Sequence, residues 1–381
     1  MQKIYLDHNA TSPTDPNVWS AIHNAVETFG NPSSKEHSFG WDAAQAVTIA
    51  REHIASLLHA RAHEIIFTST ATESINLAIR GVRAETILSS AADHEAVLAV
   101  GRQLEESRQA RFVQLPVDDV GRTRPESLDE ALSTQRGPTL VALIHANNEV
   151  GTLNHIEHLS HITHSYGAKL FIDSTQAVGR IPVDLSASGV DLASFSAHKM
   201  HGPKGVGALY IRGGPERAAL EPLIVGGSQE RGLRAGTLNV LGIIGFGEAC
   251  RLAGDQPDAE RKRILSLRNL LEDELRRELD DVSINGDVEK RLPNTTNLCF
   301  SGIDARKLLI EACDVAASTK SACSSGNPGP SHVLKAIGLS DEDAYASIRF
   351  SLGRFTTRDE IELSVEHIVK AVKKLRAIKH R

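Results

Sequence analysis

Cysteine is scarce in this chain: four in 381 residues, Cys250, Cys299, Cys313 and Cys323, far apart and in no CxxC pair. So few thiols exclude a disulfide scaffold, and any thiol that matters here matters as a reactive group. No apolar run approaches the roughly 18–20 residues that a membrane-spanning helix needs. The start, MQKIYLDHNATSP, lacks a basic stretch followed by an apolar one, so no secretory signal is read. Positive charge is not in excess. The 42 Lys+Arg stand against 48 Asp+Glu for a net charge of −6, which argues against a general nucleic-acid or membrane-surface binder. Internal repeats and low-complexity tracts are missing too. What remains is 41% hydrophobic and 24% charged, the mix of an ordinary globular protein expected in the cytoplasm. At roughly 150 residues per domain the length allows two or three domains.

From about 64 to 211, short β-branched apolar runs alternate with helical stretches. The candidate strands are 64–68, 86–90, 111–115, 139–145, 169–173, 190–195 and 205–211. Most are apolar throughout, as parallel strands buried on both faces should be. This alternation predicts an α/β fold with a mostly parallel, seven-stranded sheet. Residues 41–58 read as an amphipathic helix with Ala43, Val47, Ala50, Ile54 and Leu57 on one stripe. The segment 215–240 is Gly-rich and irregular, and 263–279 is rich in helix formers. Beyond it come a strand, a helix, a strand, the loop SACSSGNPGPSH and two closing helices. The last opens with Thr357 and Glu360 at capping-box spacing. A large domain is placed at 15–256 and a smaller α+β domain at 1–14 plus 257–381.

The chemistry-bearing features sit at the ends of the predicted strands, where open α/β sheets bind ligands. In SFSAHKMHGPKGVGALY (194–210), a strand runs into Ser196, His198 and Lys199. Lys199 alone suits a solvated turn, yet a lysine at a crowded strand end can form a Schiff base with a carbonyl cofactor. In FIDSTQAVG (171–179), Asp173 closes a buried strand. It could cap a helix, or face a protonated pyridine nitrogen. Gln176, three residues on, could donate to a phenolate oxygen of the same ring. In FTSTATESINLAI (67–79), hydroxyl residues precede a helix starting near Ala71 and Thr72, which fits helix capping or an anion site. Asn147, Asn148 and Glu149 follow another buried strand, and His94 follows a fifth.

Together these features are what pyridoxal 5'-phosphate (PLP) requires. The chain resembles the NifS/IscS cysteine desulfurases, within the class V aminotransferase-like PLP enzymes, along essentially its whole length. The resemblance rests on YLDHNATSP (5–13), FGNPSS (29–34), EIIFTSTATESINLAI, HANNEVG, DSTQAVGR, SFSAHKMHGPKGVGALY, GGSQERGLRAGT (226–237), SACSSG (321–326) and SIRFSLGRFT (347–356). It implies an aspartate-aminotransferase-like fold in a homodimer. Lys199 would carry the cofactor, Asp173 would pair with its ring nitrogen, and Gln176 and Asn148 would contact the ring oxygen. His94 would stack on the ring and shuttle protons. Ala71, Thr72, Ser196 and His198 would hold the phosphate, with Thr237 reaching in from the second subunit. Asn148 and Arg349 would bind the substrate, Arg349 clamping its carboxylate, with Arg354 a second candidate or a structural arginine. Cys323 would take sulfur from L-cysteine as a persulfide, release L-alanine, and pass the sulfur to an acceptor protein for iron–sulfur assembly, tRNA thiolation or DNA phosphorothioation. The other three cysteines read as small buried hydrophobes, Cys313 within a helix.

Three departures from the family pattern stand out. Thr70 occupies a usual glycine position beside the phosphate. STKSAC replaces SSGSAC, which sets Lys320 next to the Cys323 loop, either as a cation that lowers the thiol's pKa or as an exposed lysine without effect. The end at Arg381 leaves little room for the C-terminal extension with which housekeeping members dock a scaffold protein. Two rival functions are a selenocysteine lyase and a metal-binding or scaffold protein. The second is prompted by His155, His158, His161 and His164, although no thiolate or carboxylate completes a ligand set and a solvated helix accounts for them better.

Overall fold

The computed structural model describes residues 3–255, 258–320 and 329–379. After a short strand β1 (Ile4–Tyr5) and helices α1 (Pro16–Asn24) and α2 (Ser38–Leu57), the chain builds its main sheet. The strands are β2 (Ile65–Thr68), β3 (Thr86–Ser90), β4 (Arg111–Leu115), β5 (Thr139–Ile144), β6 (Lys169–Asp173), β7 (Leu192–Ser196) and β8 (Gly207–Ile211). Helices α3 (Ala71–Gly81), α4 (Glu95–Glu106), α5 (Pro125–Ser133) and α6 (Ile156–Ser165) fall between them. The strand order is β2-β8-β7-β6-β5-β3-β4. Strand β8 runs antiparallel to both neighbours, and the other pairings are parallel. The predicted seven-stranded, mostly parallel sheet is therefore present, with strand ends shifted by up to two residues.

Alternation along β6 shows why these apolar runs become strands. Leu170 and Ile172 enter one core with Val47, Ile54, Leu143, Phe195 and Phe246. Phe171, between them, enters the opposite core with Ile75, Ile79, Val97 and Leu209. Each side chain of that size contributes roughly 1.5–3 kcal/mol when fully buried. With both faces filled, ligand access is left to the strand ends.

Helix α7 (Pro215–Ala218) is a single turn, and α8 (Val240–Gly254) packs on the sheet. Helix α9 (Asp258–Glu278) starts five residues earlier than its run of helix formers suggests. A second sheet follows, β9 (Val282–Ile284) and β10 (Thr295–Phe300), and then α10 (Ala305–Glu311) and β11 (Val315–Ala316). Where two closing helices were expected, the chain makes α11 (His332–Ala336), α12 (Asp341–Tyr345), the strand β12 (Ser347–Ser351) and α13 (Arg358–Lys379). Strand β12 pairs antiparallel with β10 and is buried at every position, so tertiary pairing overrides the weak local signal of SIRFS. Helix α13 has the predicted capping box. Glu360 N–H donates to Thr357 Oγ1 (3.2 Å), and Thr357 N–H to the Glu360 carboxylate (2.9 Å). Ile361, Val365, Ile368 and Val372 of α13 close a separate core with Leu271, Phe300 and Phe350. The N-terminal residues Ile4 and Leu6 belong to that core, and β1 pairs with β11.

Candidate active site

Three neighbouring strands end at one edge of the main sheet. Ile144 of β5 lies beside Asp173 of β6, which lies beside Ser194 of β7. Lys199 follows within one turn of 3₁₀ helix, Ala197–Lys199. Its half-buried side chain reaches the segment 5–13, with Nζ donating to the carbonyls of Asn9 (2.6 Å) and Ala10 (2.7 Å). Asp173 is buried, and its Oδ1 accepts from Thr175 N–H (3.0 Å) and Ser194 Oγ (3.3 Å). Gln176 donates from Nε2 to the same Asn9 carbonyl that Lys199 uses (3.0 Å).

Asn9 is thus the hub on which the cationic amine and the amide converge, and it also donates from Nδ2 to the Asn148 carbonyl (3.2 Å). That carbonyl accepts from Arg349 Nη1 as well (3.0 Å). Arg349 is 1% exposed, its Nη2 pairs with Asp7 Oδ1 (2.6 Å), and its Nε has no hydrogen-bond partner. Asn148 Oδ1 is likewise buried without one. Two polar atoms orphaned next to each other's residues are costly unless a ligand or solvent satisfies them.

On the other side, Ala71 and Thr72 open α3, whose cap is Thr70, accepting from Glu73 N–H (3.1 Å). Thr70 is extended (φ −160°), so its position does not need glycine, and the threonine supplies a cap that glycine lacks. The first N–H groups of α3 precede its intrahelical ladder, which suits an anion. Strand β8 starts hard against this turn. A Cβ on Gly207 would stand 2.7 Å from the Thr70 carbonyl carbon and 3.0 Å from Ala71 N. Ser196 Oγ donates to the Val206 carbonyl (3.3 Å), and His198 Nδ1 lies 3.1 Å from Thr11 Oγ1. Burial first, then the charges of Lys199, Lys204 and Arg180, push the His198 pKa down to about 4, so it is neutral at neutral pH.

His94 caps α4, its half-buried ring accepting at Nδ1 from Ala96 N–H (3.1 Å). Its neighbour Asp93 escaped notice in the sequence. Asp93 Oδ2 accepts from Ser89 Oγ and Ser90 N–H (both 2.6 Å), and Oδ1 from Ile144 N–H (2.7 Å). It rivets the end of β3 to the end of β5 and so fixes the turn that carries His94. Complete burial raises its pKa to about 6 against these donors. Arg180 and Asn9 were also missed as individuals. Both lie in segments that matched the family only as blocks, DSTQAVGR and YLDHNATSP.

Cys323 lies outside the described residues. The chain that follows its segment is anchored to the site, with Ser331 Oγ on Glu149 Oε2 (2.5 Å) and His332 Nε2 on the Asp93 carbonyl (2.9 Å). Lys320, for which an exposed lysine was one of the two readings, is buried, with Nζ 3.4 Å from the Gly329 carbonyl. Burial lowers its pKa, Arg306 adds to this, and Glu149 opposes it. Cys250 and Cys299 are buried as expected, and burial raises both thiol pKa values. Cys313 is not: α10 stops at Glu311, and the thiol is exposed. Thr237 is exposed and takes no part in these contacts. Arg354 is engaged by Asp15 (2.5 Å) and Glu260 (3.4 Å), which favours its structural reading. His164 pairs with Asp191 (2.9 Å), and among the described residues no group of three His, Cys, Asp or Glu side chains is arranged to hold a metal ion. None of the described helices is long and apolar enough to cross a membrane.

Residues 4–363 match the family Aminotransferase class-V. A cysteine desulfurase IscS from Pectobacterium carotovorum subsp. carotovorum (strain PC1) is 43% identical over 384 aligned residues, covering 98% of this chain and 93% of that one. The chain belongs to the class V aminotransferases, among the NifS/IscS-type cysteine desulfurases. Among solved structures, a NifS-like protein from Rickettsia africae ESF-5 superimposes with a TM-score of 0.88 at 33% identity, over 98% of this chain and 100% of that one. SspA in complex with cysteine has a TM-score of 0.81 at 30% identity, over 93% of this chain and 100% of that one. The class V desulfurases are PLP enzymes.

Proposed function

We propose that this chain is a PLP-dependent cysteine desulfurase that converts L-cysteine to L-alanine and leaves the sulfur as a persulfide on Cys323. The observation that carries the reading is the convergence of Lys199 Nζ and Gln176 Nε2 on one carbonyl, next to buried Asp173 and to Arg349 with its unpartnered Nε. The donor set fits the cofactor: an amine in Lys199, a buried carboxylate in Asp173 for the ring nitrogen, amides in Gln176 and Asn148 for the ring oxygen, and a flat ring contact in His94. The turn that Gly207 leaves open, with the α3 N–H groups of Ala71 and Thr72, Ser196 and neutral His198, suits a phosphate. Bound there, PLP would act as an electron sink for the bonds at the substrate's α-carbon.

The chain's own residues do the rest. Arg349 holds the substrate carboxylate through its paired, charged guanidinium. Lys199 Nζ, once free, takes the α-proton and returns a proton to the substrate, with His94 a second proton carrier. Asp173 keeps the ring nitrogen protonated. Cys323 Sγ attacks the substrate sulfur as thiolate, so the C–S bond breaks as an S–S bond forms, and L-alanine leaves. The persulfide then passes to an acceptor protein. Thr237 completes the phosphate site of a second copy in a homodimer. The segment 15–256 forms the PLP domain, while 1–14 and 257–381 form the smaller domain carrying Cys323.

Purified protein given L-cysteine and a reductant should release alanine and sulfide in equal amounts. Lys199→Ala should abolish this together with the borohydride-reducible absorbance, and retention of either by that variant would sink the assignment. Turnover of L-selenocysteine far above L-cysteine would favour the lyase instead.

A further inference from the structure

Arg180 lies behind Lys199, half-buried, and every hydrogen bond it makes here goes to a neutral oxygen. Nη1 donates to the Gln176 backbone carbonyl (3.3 Å) and to Gln176 Oε1, and Nη2 to the carbonyls of His8 and Lys199 (both 3.1 Å). A guanidinium has no acceptor, so the branch of the Gln176 amide that faces it must be oxygen. The other branch, an N–H₂ group, then faces Asn9 O, which accepts only donors. Both neighbours demand the same orientation of an amide that could otherwise flip.

We propose that Arg180 is a positioning residue that locks the Gln176 amide with its N–H₂ side toward the Lys199 pocket, so that a donor is presented to the cofactor's ring oxygen. This rests on the PLP reading above. One N–H of Gln176 is taken by Asn9 O, and the second is left for the ring oxygen. The same guanidinium holds the Lys199 carbonyl and the His8 carbonyl, which ties the reactive lysine, its hydrogen-bonding segment and the amide into one rigid unit. Loss of water around Arg180, then the charge of Arg349, lower its pKa to about 9, and it stays cationic at neutral pH. A lysine would keep the charge there but lose the planar fork that serves three residues at once.

The test uses the PLP-loaded protein and follows the absorbance of the bound cofactor against pH, which needs no turnover. A donor on the ring oxygen favours its ionised form, so losing that donor raises the midpoint. Arg180→Lys should raise it by about one pH unit, as should Gln176→Leu, and the double variant should move no further than either. An unmoved midpoint in Arg180→Lys overturns the proposal, and so do additive shifts in the double variant. If Arg180→Lys fails to fold, Gln176→Glu carries the test. It presents oxygen on both branches and should raise the midpoint at least as far, and a wild-type midpoint there overturns the proposal too. Wild-type protein without reducible absorbance overturns the PLP reading itself, and this inference with it.

Discussion

Arg349 and Asp7 meet at 2.6 Å across 342 residues of sequence, joining β12 to the N-terminal segment beneath the site. The carboxylate takes one edge of the guanidinium and leaves Nε without a partner. Arg349→Lys keeps a charge but loses the planar edge. Hydrogen bonds to charged groups contribute about 1.5–3 kcal/mol, so KM for L-cysteine should rise about 10- to 100-fold, with a smaller change in kcat. Steady-state kinetics decide it, and an unchanged KM would remove Arg349 from the substrate site.

The thiols divide by accessibility. Cys313 is exposed while Cys250 and Cys299 are buried with raised pKa values. In native protein, iodoacetamide should modify Cys313 and Cys323 and spare the other two until denaturant is added. Cys323→Ser should keep the PLP absorbance and lose sulfide release, whereas Cys313→Ser should keep both. Peptide mass spectrometry and a sulfide assay report on each.

The main sheet could be read from composition, because strands covered on both faces leave continuous apolar runs such as TLVALI and LASFS. Lys199, Asp173 and His94 were legible because each closes such a run or follows it within four residues. Cys313 was misread because helix periodicity does not reveal that α10 ends at Glu311, two residues before it. Arg180, Asn9 and Asp93 act through backbone carbonyls and amides that meet only after folding. No residue spacing encodes those meetings. Lys320 could be read either as a cation acting on the thiol or as an exposed lysine, and its burial beside the Gly329 carbonyl is a tertiary contact that residue spacing does not encode.

Acid should destabilise the fold through buried histidines. Burial depresses His8 to about 3 and His145, His198 and His201 to about 4, all from 6.5. The unfolded chain therefore binds more protons between pH 6.5 and 4, and stability falls as pH drops through that window, by at most about 1.4 kcal/mol per pH unit for each histidine. Asp93, raised to about 6, has the opposite sign between about 6 and 3.8, but it is one group against four. Urea midpoints at pH 7 and pH 5 should differ clearly, and His145→Gln should narrow the gap. Equal midpoints in the wild-type protein would contradict this.

Ser331 Oγ donates to the carboxylate of Glu149, a residue only 1% exposed. Removing a donor from a buried charge costs about 1–3 kcal/mol. Ser331→Ala should lower the unfolding free energy by that amount. Because Ser331 anchors the chain just after the Cys323 segment, kcat should fall more than KM changes. A variant as stable as wild type would show that the bond is dispensable.

Gly207 tests the phosphate turn without touching a polar group. Its φ is not in the left-handed region, so alanine is conformationally tolerable, and any penalty comes from space. The new Cβ would lie 2.7 Å from the Thr70 carbonyl carbon and 3.0 Å from Ala71 N, and both are backbone atoms that cannot rotate away. The start of α3 must shift, and with it the N–H groups offered to the phosphate. Gly207→Ala should therefore weaken PLP affinity by about 10-fold or more, the scale of losing a single charge-assisted hydrogen bond, while α3 remains helical by circular dichroism. Dialysis against PLP-free buffer followed by reconstitution measures the affinity directly. Wild-type retention of the cofactor in that variant would move the phosphate away from Ala71 and Thr72.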